Sequence, residues 1–211
     1  MNRLIQICLV LVVGHFSSFS QSELNTDTSN KKISILFIGN SLTYTNNLPN
    51  LVKKNAKQKG VKIHVKMIAL PDYAIIDHWN DGKVEKLIES KKFDFVIIQQ
   101  GPSSQDEGRE MLFKHGKIYS DLCKLNDVKL CYFMVWPSLR YYHTFDGVIK
   151  NYSEAAVTNN AILFPVGKVW KDYIDSTNSY EYYSADGFHP SLKGSQVAAE
   201  IIVNQLLMNL D

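Results

Sequence analysis

The chain has 211 residues, of which 45% are hydrophobic and 21% are charged, and its formal net charge is +2. This composition is typical of a folded globular protein, and the length suffices for one α/β domain but not for two sizeable ones. The small net charge and the absence of a Lys- or Arg-rich run argue against nucleic acid or an anionic membrane surface as the main partner.

Residues 1–20 predict a secretory signal peptide. Asn2 and Arg3 supply a polar, positive start, residues 4–16 are mostly apolar, and small residues precede the predicted cleavage site before Gln21. This order of regions is the one that export signals share. We therefore expect the protein to be exported, to the periplasm or to the cell exterior.

The apolar core of this signal has 13 residues, which is shorter than the roughly 20 that a membrane-spanning helix needs. An uncleaved membrane anchor is therefore the less favoured alternative, and we expect no stable membrane insertion of the mature chain. Polar residues 21–31 predict a flexible leader. Residues 32–211 are predicted to form a single domain.

Strand-like and helical patterns alternate along this domain. The predicted strands, which are rich in apolar and β-branched residues, are 33–38, 61–69, 93–99, 129–136 and 161–166. The predicted helices are 47–59, 81–90, 106–126, 145–159, 167–176 and 193–210. Nearly continuous apolar strands are buried on both faces, as in parallel sheets covered by helices. The alternation therefore predicts an α/β fold with a doubly wound parallel sheet.

Two cysteines, Cys123 and Cys131, belong to the mature chain. In an oxidising compartment they could pair, but Cys123 falls in a predicted helix and Cys131 in a predicted strand. We favour two buried thiols that act as small apolar residues. The Cys and His residues lack the spacing of a metal site, so we expect no bound metal.

Polar and glycine-containing segments follow several of the predicted strands. Ser41 comes after the first strand, Gly101 and Ser103 after the third, and Ser138 after the fourth. In open α/β sheets, ligands bind outside the carboxyl ends of the strands. The sequence therefore predicts a site that draws residues from several loops at one end of the sheet.

Ser41, Asp186 and His189 have the chemistry of a serine hydrolase. A serine hydroxyl is a weak nucleophile until a base such as His189 removes its proton. Asp186, three residues earlier, could orient the imidazole and stabilise its charged form. Two ordinary explanations remain open: Asp186 and His189 could cap the last helix, and Asn-Ser after a strand could form a simple turn.

A serine hydrolase also needs hydrogen-bond donors for the oxyanion of its tetrahedral intermediate. The backbone N–H of Ser41 is one candidate donor, because it lies at the start of a predicted helix. The side chain of Gln100 or of Ser103 could add another. Gly101 would let the backbone approach a substrate closely.

Phosphate binding is a competing explanation for the loop at residues 39–43, which reads Gly-Asn-Ser-Leu-Thr. Helix N-termini after glycine-containing loops often bind phosphate groups. The loop matches neither G-x-G-x-x-G nor G-x-x-x-x-G-K-[ST], and no Lys follows at the required position. Nucleotide binding is therefore the weaker interpretation.

The segments at 39–43 and at 186–191, Asp-Gly-Phe-His-Pro-Ser, resemble the first and last blocks of the SGNH (GDSL-type) hydrolases. Residues 98–104, 134–138 and 164–167 also resemble landmarks of a secreted or periplasmic branch of that superfamily. The resemblance covers the whole mature domain. It implies a flavodoxin-like three-layer α/β/α sandwich with a five-stranded sheet, and ester hydrolysis without a metal or organic cofactor.

The resemblance assigns the nucleophile to Ser41, the acid to Asp186 and the base to His189. It departs in the middle blocks. The second-block loop, residues 70–74, lacks the glycine whose N–H serves the oxyanion, so that role would pass to the backbone of Asp72 or Tyr73.

In the third block, Ser103 replaces the usual asparagine, and Gln100 could take over the donor role. His78 resembles a branch landmark more than a member of the catalytic triad. We expect His78 to have a structural or substrate-facing role.

The expected function is therefore a secreted or periplasmic serine esterase acting on a carbohydrate O-ester, such as an acetylated glycan. Lipid esters and thioesters are the alternative substrates. A glycan-binding protein that has lost catalysis through its altered middle blocks is the alternative from another class. Aromatic residues such as Tyr141 suit both sugar stacking and ordinary packing.

Overall fold

The computed structural model describes residues 32–210, which contain a five-stranded parallel sheet. The strands are β1 (Lys32–Gly39), β2 (Lys62–Ala69), β3 (Phe95–Ile98), β4 (Lys129–Phe133) and β5 (Ile162–Phe164). Their order across the sheet is β2-β1-β3-β4-β5, and each neighbouring pair is parallel. The predicted α/β fold with a five-stranded parallel sheet is confirmed. The predicted signal peptide and leader lie outside the described residues.

Helices cover both faces of this sheet. They are α1 (Ser41–Tyr44), α2 (Leu48–Gln58), α3 (Ile75–Asn80), α4 (Lys83–Glu89), α5 (Asp106–Glu110), α6 (Gly116–Leu125), α7 (Phe145–Thr158), α8 (Val166–Thr177) and α9 (Leu192–Leu207). A π-helical segment, Met111–His115, joins α5 to α6, and 3-10 turns occupy Thr45–Asn47 and Leu139–Thr144. The covering helices explain why β3 is buried along its whole length.

The order of the strands places a topological switch point between β1 and β3. The chain passes from β1 to β2 in one direction, and from β2 across to β3, β4 and β5 in the other. Right-handed crossovers then put α2 on one face and α3 to α7 on the opposite face. Helix α9 packs against α2 and α8 on the first face. A crevice forms where the two directions diverge, at the carboxyl ends of β1 and β3.

Several elements end at residues other than the predicted ones, because apolar burial extends beyond strand pairing. The predicted strand 129–136 ends its ladder at Phe133, yet Met134, Val135 and Trp136 stay fully buried. The ring of Trp136 stacks on that of Trp170, with centroids 3.5 Å apart. An apolar run alone does not distinguish residues that are buried within a strand from residues that are buried beyond its end.

Helical structure also differs in detail from the predictions. The predicted helix 106–126 is interrupted by the π-helical segment, and the helices α1 and α3 and the 3-10 turns are not among the predicted elements. Elements of three to six residues are too short for a helical hydrophobic period to repeat. The other predicted helices occur with shifts of at most three residues at their ends.

The two cysteines of the domain are buried and free, Cys123 in α6 and Cys131 in β4. Burial raises the pKa of Cys123 to about 12, which suppresses its thiolate. Within residues 32–210, no helix combines the length and apolar character required for a membrane span. The same residues contain no group of three or more His, Cys, Asp or Glu side chains suited to holding a metal ion.

The close packing of α8 against the end of β4 depends on Gly167. A Cβ at this position would lie 2.1 Å from the Val135 carbonyl oxygen, which is a backbone atom that cannot rotate away. We expect Gly167→Ala to lower the free energy of unfolding by about 1–3 kcal/mol through overpacking. Urea denaturation measures the change. Gly101→Ala is the matched control, since a Cβ there would meet no atom within 4 Å; equal stability of the two variants would contradict the predicted clash.

Candidate active site

Ser41 lies at the first position of α1, immediately beyond the carboxyl end of β1. Asn40 caps this short helix, because its side-chain oxygen accepts a hydrogen bond from the Leu42 N–H at 3.2 Å. The Asn40 side-chain amide also donates to the Tyr73 carbonyl at 3.1 Å. Asn40 therefore starts helix α1 and attaches it to the loop after β2.

A buried amide, Gln99, holds this segment against the end of β3. Its Oε1 accepts hydrogen bonds from the Asn40 N–H at 2.9 Å and from the Thr43 hydroxyl at 2.8 Å. Its Nε2 donates to the Gln100 carbonyl at 3.0 Å. A Cβ at Gly39 would lie only 2.5 Å from Gln99 Oε1, so glycine permits this approach. The side-chain oxygen and nitrogen of Gln99 thus have partners in the protein.

The loop that carries His189 is held by hydrogen bonds from distant parts of the chain. The indole N–H of Trp136 donates to the Phe188 carbonyl at 2.9 Å. The Asn46 side-chain amide donates to the Pro190 carbonyl at 3.0 Å. These contacts on either side of His189 come from the segments after β4 and β1, and they bring the imidazole to Ser41.

Ser41, His189 and Asp186 form a continuous hydrogen-bonded chain. His189 Nε2 lies 2.9 Å from Ser41 Oγ, and His189 Nδ1 lies 2.7 Å from Asp186 Oδ2. Because an ionised carboxylate only accepts hydrogen bonds, Nδ1 carries the proton and Nε2 offers its lone pair to the Ser41 hydroxyl. In this arrangement the imidazole can take the hydroxyl proton.

Asp186 is held in its ionised form, and half of its side chain is exposed. The hydrogen bond from His189 is the largest of the causes that hold the pKa of Asp186 well below its ordinary range. The backbone N–H groups of Phe188 and His189 and the hydroxyl of Ser184 donate to its other oxygen at 2.7–2.9 Å. Ser191 caps α9 instead, so the helix-capping explanation for Asp186 and His189 is wrong.

A small cavity of about 220 Å³ lies beside Ser41. It is lined by Asn40, Ser41, Leu42, Asp72, Tyr73, Ala74, Gln100, Gly101 and Phe188. Within residues 32–210, no acceptor engages the backbone N–H of Ser41 or that of Asp72. Unpaired donors around one cavity suit a bound oxygen atom that develops negative charge.

Gln100 supplies a further donor to this cavity. Its Oε1 accepts a hydrogen bond from the Ile75 N–H at 2.9 Å, which fixes the side-chain amide. The backbone carbonyl of Gln100 accepts hydrogen bonds from Gln99 Nε2 and from the buried Tyr152 hydroxyl. Since the oxygen is occupied, the Nε2 group is the free end of the amide, and no acceptor in the described part of the chain engages it.

Asp72 lies in the loop at residues 70–74, where the resemblance led us to expect a glycine. The Tyr73 N–H donates to the Leu70 carbonyl across the turn at 3.4 Å, and Asp72 has φ +61°. Because Pro71 precedes it and cannot adopt positive φ, this is a type II turn with Asp72 at its left-handed position. Aspartate tolerates that conformation better than most residues do.

The structure does not bring Ser103 to the cavity, in contrast to Gln100. Ser103 is 2% exposed, and its hydroxyl donates to the Gly101 carbonyl at 2.9 Å within its own loop. Its backbone packs against α5, where Gly108 leaves room for it. Gly101 does line the cavity, and the space that a Cβ would occupy there is open.

A larger cleft of about 730 Å³ adjoins the cavity, and Phe188 lines both. The loops after β3 and β4 form its walls. The lining residues are Pro102, Ser104, Gln105, Pro137, Ser138, Tyr141, His143, Thr144 and Phe188. Tyr141 is 52% exposed, so its ring is available to a ligand. The cleft therefore combines apolar walls with hydroxyl and imidazole groups.

His78 lies against the end of β1 and does not line the cavity. It is 1% exposed, and its Nε2 lies 2.7 Å from the Gly39 carbonyl oxygen, to which it donates as N–H. Its Nδ1 is buried without a partner. Burial is the largest influence on the pKa of His78 and lowers it, although Asp81 and Asp77 act in the opposite direction. A neutral imidazole follows from these surroundings.

Sequence reasoning missed Gln99 and Asn46 as residues that position the site. Gln99 ends an apolar strand, and a polar residue directly after such a run signals a buried hydrogen bond. Asn46 and Asn47 both have positive φ, but nothing in their sequence indicates the contact with Pro190, which is 144 residues away from Asn46.

No protein-family model and no curated protein matches this chain. Solved structures do match it over most of its length. A proposed SGNH hydrolase from Slackia heliotrinireducens is 20% identical, with a TM-score of 0.70, over 83% of this chain and 100% of that one. The lipase/acylhydrolase from Enterococcus faecalis is 18% identical, with a TM-score of 0.69, over 84% and 96% of the two chains.

A catalytic mutant of an acetylxylan esterase from Geobacillus stearothermophilus is also similar. It is 14% identical, with a TM-score of 0.61, over 82% of this chain and 94% of that one. The fold of the described residues is therefore the α/β fold of the SGNH hydrolases. At such low identity the likeness establishes the fold and does not transfer a function.

The buried neutral state of His78 makes stability depend on pH. Since burial lowers its folded-state pKa below the ordinary 6.5, the unfolded chain binds more protons at this site upon acidification. The free energy of unfolding then falls as the pH drops below about 6.5, by at most about 1.4 kcal/mol per pH unit, until the folded-state pKa is reached. His78→Gln lacks this term, because its amide can donate to Gly39 without titrating.

We expect wild type to lose more stability than His78→Gln between about pH 7 and about pH 5. Urea denaturation at several pH values measures both proteins. The exposed His64 provides the control variant His64→Gln, which is expected to follow wild type closely. A pH-independent difference between wild type and His78→Gln would contradict a buried, neutral His78.

Proposed function

We propose that this protein is a serine esterase that hydrolyses carboxylic esters through an acyl-enzyme. The observation that carries the proposal is the chain of hydrogen bonds from Ser41 through His189 to Asp186, with distances of 2.9 Å and 2.7 Å. The three side chains have the composition and order that activate a serine nucleophile. The fold shared with lipases and esterases is consistent with this assignment.

In the first half of the reaction, Ser41 Oγ attacks the ester carbonyl carbon while His189 Nε2 takes the hydroxyl proton. The imidazolium that forms is stabilised by the Asp186 carboxylate, which already accepts the Nδ1–H bond. His189 then donates the proton to the alcohol oxygen, and the ester C–O bond breaks. The alcohol leaves, and the acyl group stays on Ser41.

In the second half, His189 removes a proton from water, and the resulting hydroxide attacks the acyl carbon. The Ser41 Oγ regains its proton from His189 as the carboxylic acid leaves. In both halves the carbonyl oxygen becomes an oxyanion. The N–H groups of Ser41 and Asp72 and Nε2 of Gln100 are the donors we assign to it, since all three belong to residues that line the cavity.

The substrate we propose is a carbohydrate O-ester with a small acyl group, such as acetate. The cavity of about 220 Å³ at Ser41 suits a short acyl chain, and the cleft of about 730 Å³ suits a larger alcohol. Tyr141 and Phe188 offer aromatic surface for sugar stacking, and the cleft hydroxyl groups offer hydrogen bonds. Export through residues 1–20 is part of this proposal, since it would place the enzyme where external glycans occur.

A lipid ester or thioester is the second candidate substrate. Its support is the apolar part of the cleft wall, formed by Pro102, Pro137, Tyr141 and Phe188, which could hold an acyl chain. A series of 4-nitrophenyl esters of increasing acyl length separates the two. Highest kcat/KM for acetate would favour the glycan ester, and highest kcat/KM for long chains would favour the lipid ester.

Loss of the nucleophile or of the base is the primary test. We expect Ser41→Ala and His189→Ala each to lower kcat for 4-nitrophenyl acetate by roughly three orders of magnitude or more, because the triad acts as a unit. Release of 4-nitrophenol measures the rate. Ser90→Ala and His64→Ala, at surface positions away from the triad, are matched controls and are expected to keep wild-type rates.

Full activity of Ser41→Ala would contradict the serine mechanism. Absence of turnover in the folded wild-type protein, together with binding of an acetylated glycan, would instead support the glycan-binding alternative. Circular dichroism of each variant verifies that it is folded.

The role of Gln100 is tested separately from the triad. Gln100→Glu keeps an oxygen for the Ile75 N–H but removes the amide donor, and Gln100→Met removes the donor without adding charge. We expect both variants to lower kcat by about 100- to 1,000-fold, as for the loss of one oxyanion donor. Ser103→Ala is the control, with an expected change below about tenfold because this hydroxyl bonds within its own loop. Equal losses in the Gln100 and Ser103 variants would contradict the assignment.

A further inference from the structure

The side chain of Asp72 places a negative charge at the mouth of the cavity beside Ser41. Its left-handed backbone conformation, with φ +61°, fixes the residue at the tip of the turn between Leu70 and Tyr73. Asp72 is exposed and lines the cavity together with Ser41 and Gln100. Asp72 therefore borders the cavity that we assign to the acyl group.

This charge is not neutralised by the protein. Within residues 32–210, no hydrogen bond or ion pair engages the Asp72 carboxylate. The other residues that line the cavity carry no charged side chain. An unpaired carboxylate in a concave site repels a second negative charge, and salt screens that repulsion because the site is open to solvent.

We infer that Asp72 is a specificity-determining residue, which favours uncharged acyl groups and disfavours acyl groups that end in a carboxylate. The inference rests on the proposed function. It deepens that proposal by naming the charge of the acyl groups that the site accepts. It also gives a role to the Asp72 side chain, in a loop where the resemblance led us to expect a glycine.

The chemical reason lies in the difference between backbone and side chain at this position. The backbone N–H of Asp72 is available to the oxyanion, whereas the carboxylate acts on whatever charge the acyl group carries. A glycine would offer the same N–H without selecting among acyl groups. The aspartate thus adds discrimination at the cost of some repulsion of the oxyanion, which is the same for all esters.

The test compares two esters of similar length, 4-nitrophenyl butyrate and mono-4-nitrophenyl succinate, which differ by a terminal carboxylate. The measured quantity is the ratio of kcat/KM for the neutral ester to that for the anionic ester. Asp72→Asn removes the charge but keeps the size and the tolerance for positive φ, and Asp72→Gly removes the side chain. Asp127→Asn is the control, because Asp127 is exposed with φ +57° at the opposite end of the sheet, before β4.

We expect the ratio to fall by about three- to tenfold in both Asp72 variants at low salt, and the difference from wild type to shrink in high salt. The change should lie mainly in KM for the anionic ester, since its terminal charge is the same in ground and transition states. Asp127→Asn should keep the wild-type ratio.

An unchanged ratio in Asp72→Asn overturns the inference while Ser41-dependent hydrolysis still supports the proposed function. A ratio that changes in Asp72→Gly but not in Asp72→Asn also overturns it, since size and not charge would then discriminate. Absence of Ser41-dependent hydrolysis of both esters in every variant overturns the proposed function, and the inference with it.

Discussion

The hydrogen bonds of the buried Gln99 amide hold the candidate site in its shape. Its oxygen accepts hydrogen bonds from Asn40 and Thr43 on either side of Ser41, and its nitrogen donates to the Gln100 backbone carbonyl. A buried polar group without a partner costs about 1–3 kcal/mol, so these segments are most stable when they are together. The requirement to satisfy one side chain therefore fixes the distance between the loops after β1 and β3, and with it the positions of Ser41 and Gln100.

Two buried polar side chains support the site, whereas the ionisable side chains of the proposed triad are partly exposed. The buried ones, Gln99 and His78, are neutral and support the backbone at Gly39 and Asn40. Asp186 and His189, which belong to the proposed triad, are partly exposed, with side-chain exposures of 50% and 35%. Exposure keeps the desolvation cost of the carboxylate low, and several N–H and O–H donors hold its charge in place.

The sequence predicted the fold of this protein more completely than the geometry of its candidate site. Long apolar runs predicted the number of strands and the sheet type correctly but not every strand end, since double burial leaves a clear pattern that extends beyond the paired residues. The choice between Gln100 and Ser103 as a donor was not decided, because both follow the same strand. Only the structure shows that Ser103 is buried in its own loop and that the Ile75 N–H orients Gln100. The sequence of the loop at residues 70–74, which has no glycine, also gave no sign that Asp72 adopts positive φ.

The sequence by itself determined the α/β alternation, the position of Ser41 after the first strand, and the three-residue spacing of Asp186 and His189. These features are local, and local residue types and periodicity are sufficient to specify them. Tertiary structure alone decided that Ser41 and His189, 148 residues apart, lie 2.9 Å from each other. It also decided which loop donors border the cavity, because such contacts depend on how the strands are ordered and how the loops pack across the end of the sheet.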